Sequence, residues 1–493
     1  MPQIELEEAV YPFLGPGRTA EDVEKARAAL EKAYASKGYQ TVIVSIPQQN
    51  VQGGVVVLKV TEVKVGRLRV KNSRYFDLDN IKKKAPSVAE GRVPNFKDVT
   101  NDIVALNQLP DRKVTPSLRA GAKPGTVDVD LNVEDKLPLH GSVEYNNRQS
   151  PNTTPSRVSA SLRYDNLWQR GDSINLGYQI APQRPDDVQV FSGSYLARTD
   201  FDWLSILVYG VDSKSDVATI GGLNVVGPGQ IIGARAVVTL PSRENFFQTV
   251  SFGVDYKNFG QRVSLGDVEA FSTPVKYFPV SVNYGATWQH DGATTQFNGG
   301  LTYGLRGLGS DPFEFDAKRY GASENFIYLR ADVTHSREIG NGFQLYAKLQ
   351  GQVSDQPLVS SEEFSVGGLD TVRGYLESET IGDNAVVGTL EVRTPNVGDW
   401  VASAIKEQTG KPPEPNLIND WRFFIFGDAG AAYTQRPLIG QQATFDLASY
   451  GIGTRVKLFD YINGMVVFAI PTITQTFTLA NEKRVLFRVW GEF

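Results

Sequence analysis

Few side chains in this sequence could make or break bonds. There is no cysteine, and the histidines number three, His140, His290 and His335. That excludes disulfides and thiolate metal sites, and it argues against a multi-histidine metal centre. The spacings HExxH, GxxxxGK[ST] and GxSxG are all missing, so zinc-peptidase, nucleotide-phosphate and serine-elbow chemistry have no carrier. One pairing could serve a serine hydrolase: Gly171-Asp172-Ser173 as nucleophile segment, with Asp332 and His335 as the relay. Asp332 and His335 are separated by an odd number of positions in a strand-like stretch. They therefore point to opposite faces and cannot form one relay. The reading is no enzyme, no metal and no cofactor. A formal net charge of -5 also argues against a nucleic-acid binder.

The elements around these residues change character near position 138. Before it, helical and strand-like segments alternate. Thr19 is an N-cap with Asp22 three residues on, Val23, Ala26, Leu30 and Tyr34 recur at helical spacing, and Gly38 closes the helix. Strands are expected at Thr41–Ile46 and Val55–Val60. A second mixed unit has strands at Arg67–Lys71, Lys113–Arg119 and Thr126–Val133, a short helix around Leu78–Lys84, and a longer helix after Asn95. Residues 1–64 and 65–138 thus read as two small α+β domains.

From Leu139 the period becomes two. Val158, Ala160, Leu162 and Tyr164 alternate with Ser159, Ser161 and Arg163; Phe343, Leu345, Ala347 and Leu349 alternate with Gln344, Tyr346, Lys348 and Gln350. Sixteen such segments begin near residues 140, 157, 172, 188, 203, 231, 247, 276, 293, 325, 342, 385, 421, 445, 463 and 483. Short turns (Leu167–Gly171, Pro241–Asn245, His290–Ala293, Asp460–Gly464) alternate with long loops (Asp212–Gln230, Phe259–Pro274, Leu308–Glu324, Gln352–Asn384). No apolar run approaches the ~20 residues of a spanning helix. A closed barrel is the remaining way to satisfy every backbone group in lipid. An even strand number, aromatic ends and unequal connections fit a bacterial outer-membrane barrel over 139–493. Pro395–Asp420 is long on the side where turns should be short, and the pattern offers no reason for it. Val485, Phe487, Val489, Gly491 and Phe493 share the last outward face. The start, Met1-Pro2-Gln3-Ile4, has no positive or apolar leader, so the sequence reads as a processed or trimmed form.

Four stretches carry a resemblance. They are Gly38-Tyr39 with Ile46-Pro47-Gln48-Gln49 and Gly53-Gly54; Tyr164-Asp165-Asn166-Leu167 with Arg170-Gly171-Asp172; Phe364-Ser365-Val366-Gly367-Gly368 with Val372-Arg373-Gly374-Tyr375; and Phe426-Gly427-Asp428-Ala429-Gly430. Together they resemble the two-partner secretion transporters (TpsB), the haemolysin-activator and filamentous-haemagglutinin exporters of the POTRA–barrel superfamily. The resemblance implies a mainly β protein, with a 16-stranded antiparallel transmembrane barrel behind two POTRA domains. It implies that loop 352–384 folds into the lumen, where Arg373 of the VRGY motif meets Asp428 on the wall, with Phe426 and Gly430 in the same strand motif. Gly367, Gly368 and Gly374 would permit its tight turns, and Phe493 would be the C-terminal assembly signal.

Further implications concern partners and place. The barrel would sit in the bacterial outer membrane, among its lipid and lipopolysaccharide, inserted by the barrel-assembly machinery. The POTRA domains would lie in the periplasm and bind an unfolded TpsA-type secreted protein by strand addition. No nucleotide site exists to drive export, so folding outside the cell would. The alternative is a barrel-assembly insertase, whose relatives usually carry more POTRA domains; a passive porin would need none. Two departures stand out. Most of the leading strand of the first POTRA domain is missing, and the family's plug helix and linker are not recognised, so either the sequence is a trimmed form or this form cannot be plugged in the family's way.

Overall fold

The computed structural model describes all residues except 1, 52, 216, 221–222, 244, 261, 266–267, 273 and 410–416. The chain divides into two units. The first comprises Met1–Pro138 with Asp165–Gly171, and the second Leu139–Tyr164 with Asp172–Phe493.

The first unit holds two small α+β layers. Helices Gln3–Val10 and Ala20–Ser36 pack on an antiparallel pair, Val42–Ser45 with Lys59–Glu62, around Leu30, Tyr34, Val42 and Val44. Helix Ala20–Ser36 starts where the Asp22 carboxylate accepts bonds from the Thr19 N–H (2.9 Å) and hydroxyl (3.0 Å). It stops at Gly38, whose φ of +96° only glycine adopts cheaply. The strand expected at Val55–Val60 begins instead at Lys59. The Gln49 side chain explains the shift. Its amide donates to the Val57 carbonyl (2.9 Å) and its oxygen accepts the Val57 N–H (2.8 Å), occupying both groups that a strand partner would need.

The second layer is a three-stranded sheet. Thr126–Asp135 lies centrally, parallel to Lys64–Lys71 and antiparallel to Arg112–Ala120. Pro116 is tolerated because its strand is an edge. Helices Leu78–Lys83 and Phe96–Leu106 bury Ile81 and Leu106 against Val65, Leu68, Val129 and Leu131. Arg112 donates twice to the Leu106 carbonyl at the helix end (2.7 and 3.2 Å), and burial pushes its guanidinium down to about 10. In the same unit, the Asn166 side chain donates to the Tyr75 carbonyl and Gln169 accepts from the Asp77 N–H.

The second unit is a closed antiparallel barrel of sixteen strands. In chain order they are Leu139–Asn146, Arg157–Leu167, Asp172–Ile180, Gln189–Arg198, Leu204–Ser213, Gly229–Thr239, Phe246–Phe259, Val275–His290, Ala293–Gly309, Ile327–Gly340, Phe343–Ser354, Asn384–Arg393, Asp420–Tyr433, Thr444–Leu458, Ile462–Pro471 and Arg484–Glu492. Each begins within two residues of the position read from the alternation. Among the described residues no helix is long and apolar enough to cross a membrane; the strands take that role. Leu162, Leu349, Ile425, Ile452 and Val489 point outward, while Lys348, Glu391 and Asp428 point inward. Two-residue turns such as Asn341-Gly342 use the positive φ that a twisted hairpin requires (+51° and +78°).

The barrel closes between its last and first strands, with Val489 opposite Tyr145 and Gly491 opposite Val143. Arg488 and Glu144 form an ion pair across this seam at 2.6 Å. The long connections contain further elements among their described residues. Two contain an antiparallel strand pair (Val217–Ile220 with Leu223–Val226; Arg262–Leu265 with Val268–Ser272), and one contains a helix, Pro312–Lys318. Connection Pro395–Asp420 contains a helix over Gly398–Thr409, and residues 410–416 lie outside the described part.

Candidate functional site

The connection between the eleventh and twelfth strands, residues 355–383, carries seven carboxylates and one cation, Arg373. Two of its segments pair as a short hairpin, Phe364–Val366 with Thr380–Gly382. Between them the chain turns at Gly367, Gly368 and Gly374, with φ of +108°, +102° and +93°. A Cβ at Gly367 would lie 2.5 Å from the Leu376 carbonyl oxygen, and one at Gly374 would lie 3.2 Å from Ala469. Both turns therefore need glycine for space as well as for φ.

Arg373 is buried against the luminal wall. Its Nε and Nη2 donate to the two oxygens of Asp428, each at 2.7 Å, and its own backbone N–H adds a third bond at 3.0 Å. Nη1 donates to Glu391 at 2.5 Å. The guanidinium carbon lies 3.6 Å from the centroid of the Phe426 ring. A planar fork on a carboxylate, stacked on an aromatic face, fixes orientation in a way that an ammonium could not. Glu391 also holds Arg393 (2.8 Å) and Arg455 (3.4 Å), so three guanidiniums share two carboxylates.

The neighbouring residues of both motifs explain themselves by packing. Val372 is fully buried with Phe364, Val366, Val387 and Leu447. A Cβ at Gly430 would meet Val387 at 2.9 Å and both Val366 and Val372 at 3.2 Å, so Gly430 makes the space into which the loop seats. Tyr375 donates to the carbonyls of Ile473 (2.7 Å) and Ala448 (3.1 Å), fastening the loop tip to the fourteenth strand and to the segment after the fifteenth. Phe493 is elsewhere: its backbone exchanges two bonds with Gly141 (3.0 and 3.1 Å) at the barrel seam, and its ring faces outward. A Cβ at Gly141 would lie 2.5 Å from that ring.

Sequence reasoning missed the other clamps on the loop. Glu362 accepts from Lys257 (2.5 Å), Tyr277 (2.6 Å) and Tyr328 (2.7 Å). Arg319 bridges Glu363 and Asp383, each at 2.9 Å. Arg148 reaches Glu377 (2.9 Å) and Asp370 (2.7 Å). Glu379 accepts from the Phe477 N–H (2.9 Å) and the Thr478 hydroxyl (2.8 Å). The available signal was charge: an acidic loop surrounded by wall and loop cations implies insertion rather than exposure. Beside the loop a polar cavity of about 730 Å³ remains, lined by Arg235, Asn283, Asn298, Asp332 and Lys348 among others. Asp332 bonds Asn298 on that luminal side (3.0 Å), whereas His335 bonds Thr295 (2.9 Å).

Comparison with known proteins places these features. The model for the haemolysin secretion/activation protein ShlB/FhaC/HecB matches residues 125–456, and that for the ShlB-type POTRA domain matches residues 1–62. The outer membrane transporter CdiB of Dickeya dadantii is 22% identical over 401 residues, covering 75% of this chain and 66% of its own. The heme/hemopexin transporter protein HuxB of Haemophilus influenzae is 20% identical over 385 residues, with the same coverage. The chain thus spans about two thirds of the length of the curated relatives it matches. Among solved structures, CdiB from Escherichia coli shares the fold with a TM-score of 0.68 at 17% identity, over 100% of this chain and 88% of that one. BamA from Haemophilus ducreyi lacking POTRA domains 1–3 does so with a TM-score of 0.57 at 13% identity, over 100% and 98%.

Proposed function

Because the chain belongs to the haemolysin secretion/activation family, we propose that it is an outer-membrane pore that exports one large, unfolded partner protein of the TpsA type. Residues 1–64 and 65–138 act as two periplasmic POTRA domains that capture the client along their sheet edges. The barrel over 139–493 conducts it, and loop 352–384 controls the passage. The observation that carries this reading is the seating of an acidic loop inside the lumen by Arg373 on Asp428 and Glu391. A passive porin has no need for a loop clamped at five separate places.

In this mechanism the loop is a fixed part of the conduit wall. Four of the clamps pair opposite charges and the fifth seats Glu379 on a backbone N–H and a hydroxyl, so the loop is held in one position against thermal motion. Val372, Arg373, Gly374 and Tyr375 form its anchor, Phe426, Asp428 and Gly430 its seat, and Phe493 the terminal strand element read during insertion by the barrel-assembly machinery. Outer-membrane lipid and lipopolysaccharide surround the outward face. With no nucleotide motif in the chain, folding of the client outside the cell supplies the pull.

Deleting the gene and comparing the medium tests the proposal: one large protein should vanish from it and return on complementation. Unchanged secretion together with loss of other outer-membrane barrels would transfer the assignment to an insertase.

A further inference from the structure

The long connection after the twelfth strand is built rigidly onto the barrel end. The Thr394 N–H donates to the Phe423 carbonyl (2.9 Å) and the Val397 N–H to the Trp421 carbonyl (2.8 Å), extending the strand pair. The Asn396 side-chain oxygen then accepts from the Trp421 N–H (2.8 Å) and from the Gly398 N–H (2.9 Å), the first residue of the helix. Its nitrogen donates to the Asn419 carbonyl (3.3 Å). A Cβ at Gly398 would lie 2.8 Å from Ile418. Helix Gly398–Thr409 is therefore pinned to the barrel at its first residue, and its first turn presents Trp400 with 74% of its surface exposed. A pinned helix start that holds an indole away from the protein is costly in water and favourable at a membrane interface.

The same two anchoring residues, Thr394 and Phe423, also line a concavity of about 500 Å³ on the barrel's outer wall, between Phe343, Ile425, Ile452, Val466 and Phe468. The threonines 394 and 454 are the polar side chains in this lining. The site lies toward the strand ends joined by short turns, the periplasmic side. Trp421, beside Phe423 at 5.6 Å between ring centroids, marks the headgroup level there. Water in an apolar concavity facing hydrocarbon would find too few partners. Only another hydrocarbon can fill it.

We infer that this groove and helix form a phospholipid site of the periplasmic leaflet, with an acyl chain in the groove and Trp400 lying among the headgroups beside it. The inference rests on the barrel's place in a bilayer and is independent of what the barrel exports. It gives the long connection a purpose: it fastens one sector of the barrel's periplasmic end to the membrane surface.

The full chain, reconstituted in phosphatidylethanolamine vesicles with brominated acyl chains, tests the helix. The difference emission between wild type and Trp400→Phe isolates Trp400. It should be quenched by bromine near the headgroups more than by bromine near the chain ends, and be shielded from aqueous iodide. Quenching by iodide alone, while the other tryptophans respond to bromine, overturns the inference and leaves the barrel in the membrane. If no tryptophan responds to bromine, the membrane reading itself fails.

The groove is probed with phosphatidylethanolamine bearing a photoactivatable acyl chain. Adducts should concentrate on Phe343, Phe423 and Ile452, and Val466→Phe, which fills the groove, should lower them several-fold without changing adducts at Phe191 on another sector. Adduct yields equal to those at Phe191, or displacement by lipopolysaccharide rather than by unlabelled phospholipid, overturn it.

Discussion

The two units solve opposite solvent problems with one chain. In the sheet-and-helix layer of the first, Val65, Ile81, Leu106 and Leu131 make an apolar interior, and the buried ions, Arg112, Asp128 and Asp130, sit around it. In the barrel, the buried residues include Arg373, Glu391, Asp428 and Glu362, while Leu349, Ile425 and Ile452 stand exposed on the wall. The difference teaches that burial does not predict polarity here; the medium outside does. Where water surrounds the unit, the hydrophobic effect collects apolar side chains in the middle. Where lipid surrounds it, that force does not draw the outer face inward, and in the lumen charge pairing adds its specificity to apolar packing such as that of Val372 with Val366 and Val387.

The strongest way to break this contrast is to remove the central ion of the barrel. Arg373→Ala leaves Asp428 and Glu391 buried with one fewer partner cation, and breaking such a pair costs about 3–5 kcal/mol. The sixteen-strand ladder does not depend on it, so the folded barrel should still resist unfolding in detergent at room temperature on electrophoresis. Loop 352–384 should become accessible to added protease, and export should fall. Arg373→Lys should rescue little, because an ammonium cannot fork onto Asp428. Wild-type export by Arg373→Ala with a protease-sensitive loop would remove the loop from the mechanism.

The matching experiment in the first unit uses Leu131, which is completely buried. Leu131→Ala should cost about 2–5 kcal/mol, from lost burial plus the cavity left behind. Urea should then unfold the first unit at lower concentration, while the barrel's electrophoretic mobility is unchanged. Equal destabilisation of both units by this one change would show that they fold as one.

What was legible from the sequence divides along the same line. All sixteen strands could be placed because the two media are uniform: every strand repeats the same outward-apolar rhythm, and a slip by one residue would invert it. The α+β unit was harder, since its strands are short and local hydrogen bonds compete with pairing, as Gln49 does at Val57. Helices Gly398–Thr409 and Pro312–Lys318 were invisible among loops, because a helix of about two or three turns leaves a weak period. At the candidate site, the meeting of Arg373 with Asp428 came from motif resemblance. No spacing rule links residues 55 positions apart, and Glu391, one strand away, carried no motif at all. Its signal lay in the phase of the alternation, which puts Glu391 and Arg393 on the luminal face.

A sharper comparison takes two leucine-like positions that a probe of water sees as equivalent. Leu349 on the barrel wall and Val104 on helix Phe96–Leu106 are each 58% exposed. Leu349→Arg should cost about 2–4 kcal/mol for the reconstituted barrel, since it places a cation toward the middle of the hydrocarbon. Val104→Arg should change the first unit by less than about 0.5 kcal/mol, as surface substitutions do. Urea titrations of the two variants in vesicles measure both. Similar small effects at both sites would mean that the wall at Leu349 faces water, and the inverted design would fail.

The smallest effect concerns the cap of helix Ala20–Ser36, where water is the medium and an exposed charge still does local work. The Thr19 backbone and hydroxyl bonds hold the Asp22 carboxyl below its ordinary value of 3.8. A depressed acid contributes stability above its unfolded value, and that contribution disappears as pH falls through the folded value. Amide exchange in the first turn, at Asp22 and Val23, should therefore be slow relative to free peptide at pH 5 and lose protection on acidification below about 3.8. Asp22→Asn can still accept the Thr19 bonds but cannot titrate, so its protection should not step with pH in that window. A step that survives in Asp22→Asn would assign the acid response to another carboxylate. The cap would then be set by the backbone geometry at Thr19 rather than by charge.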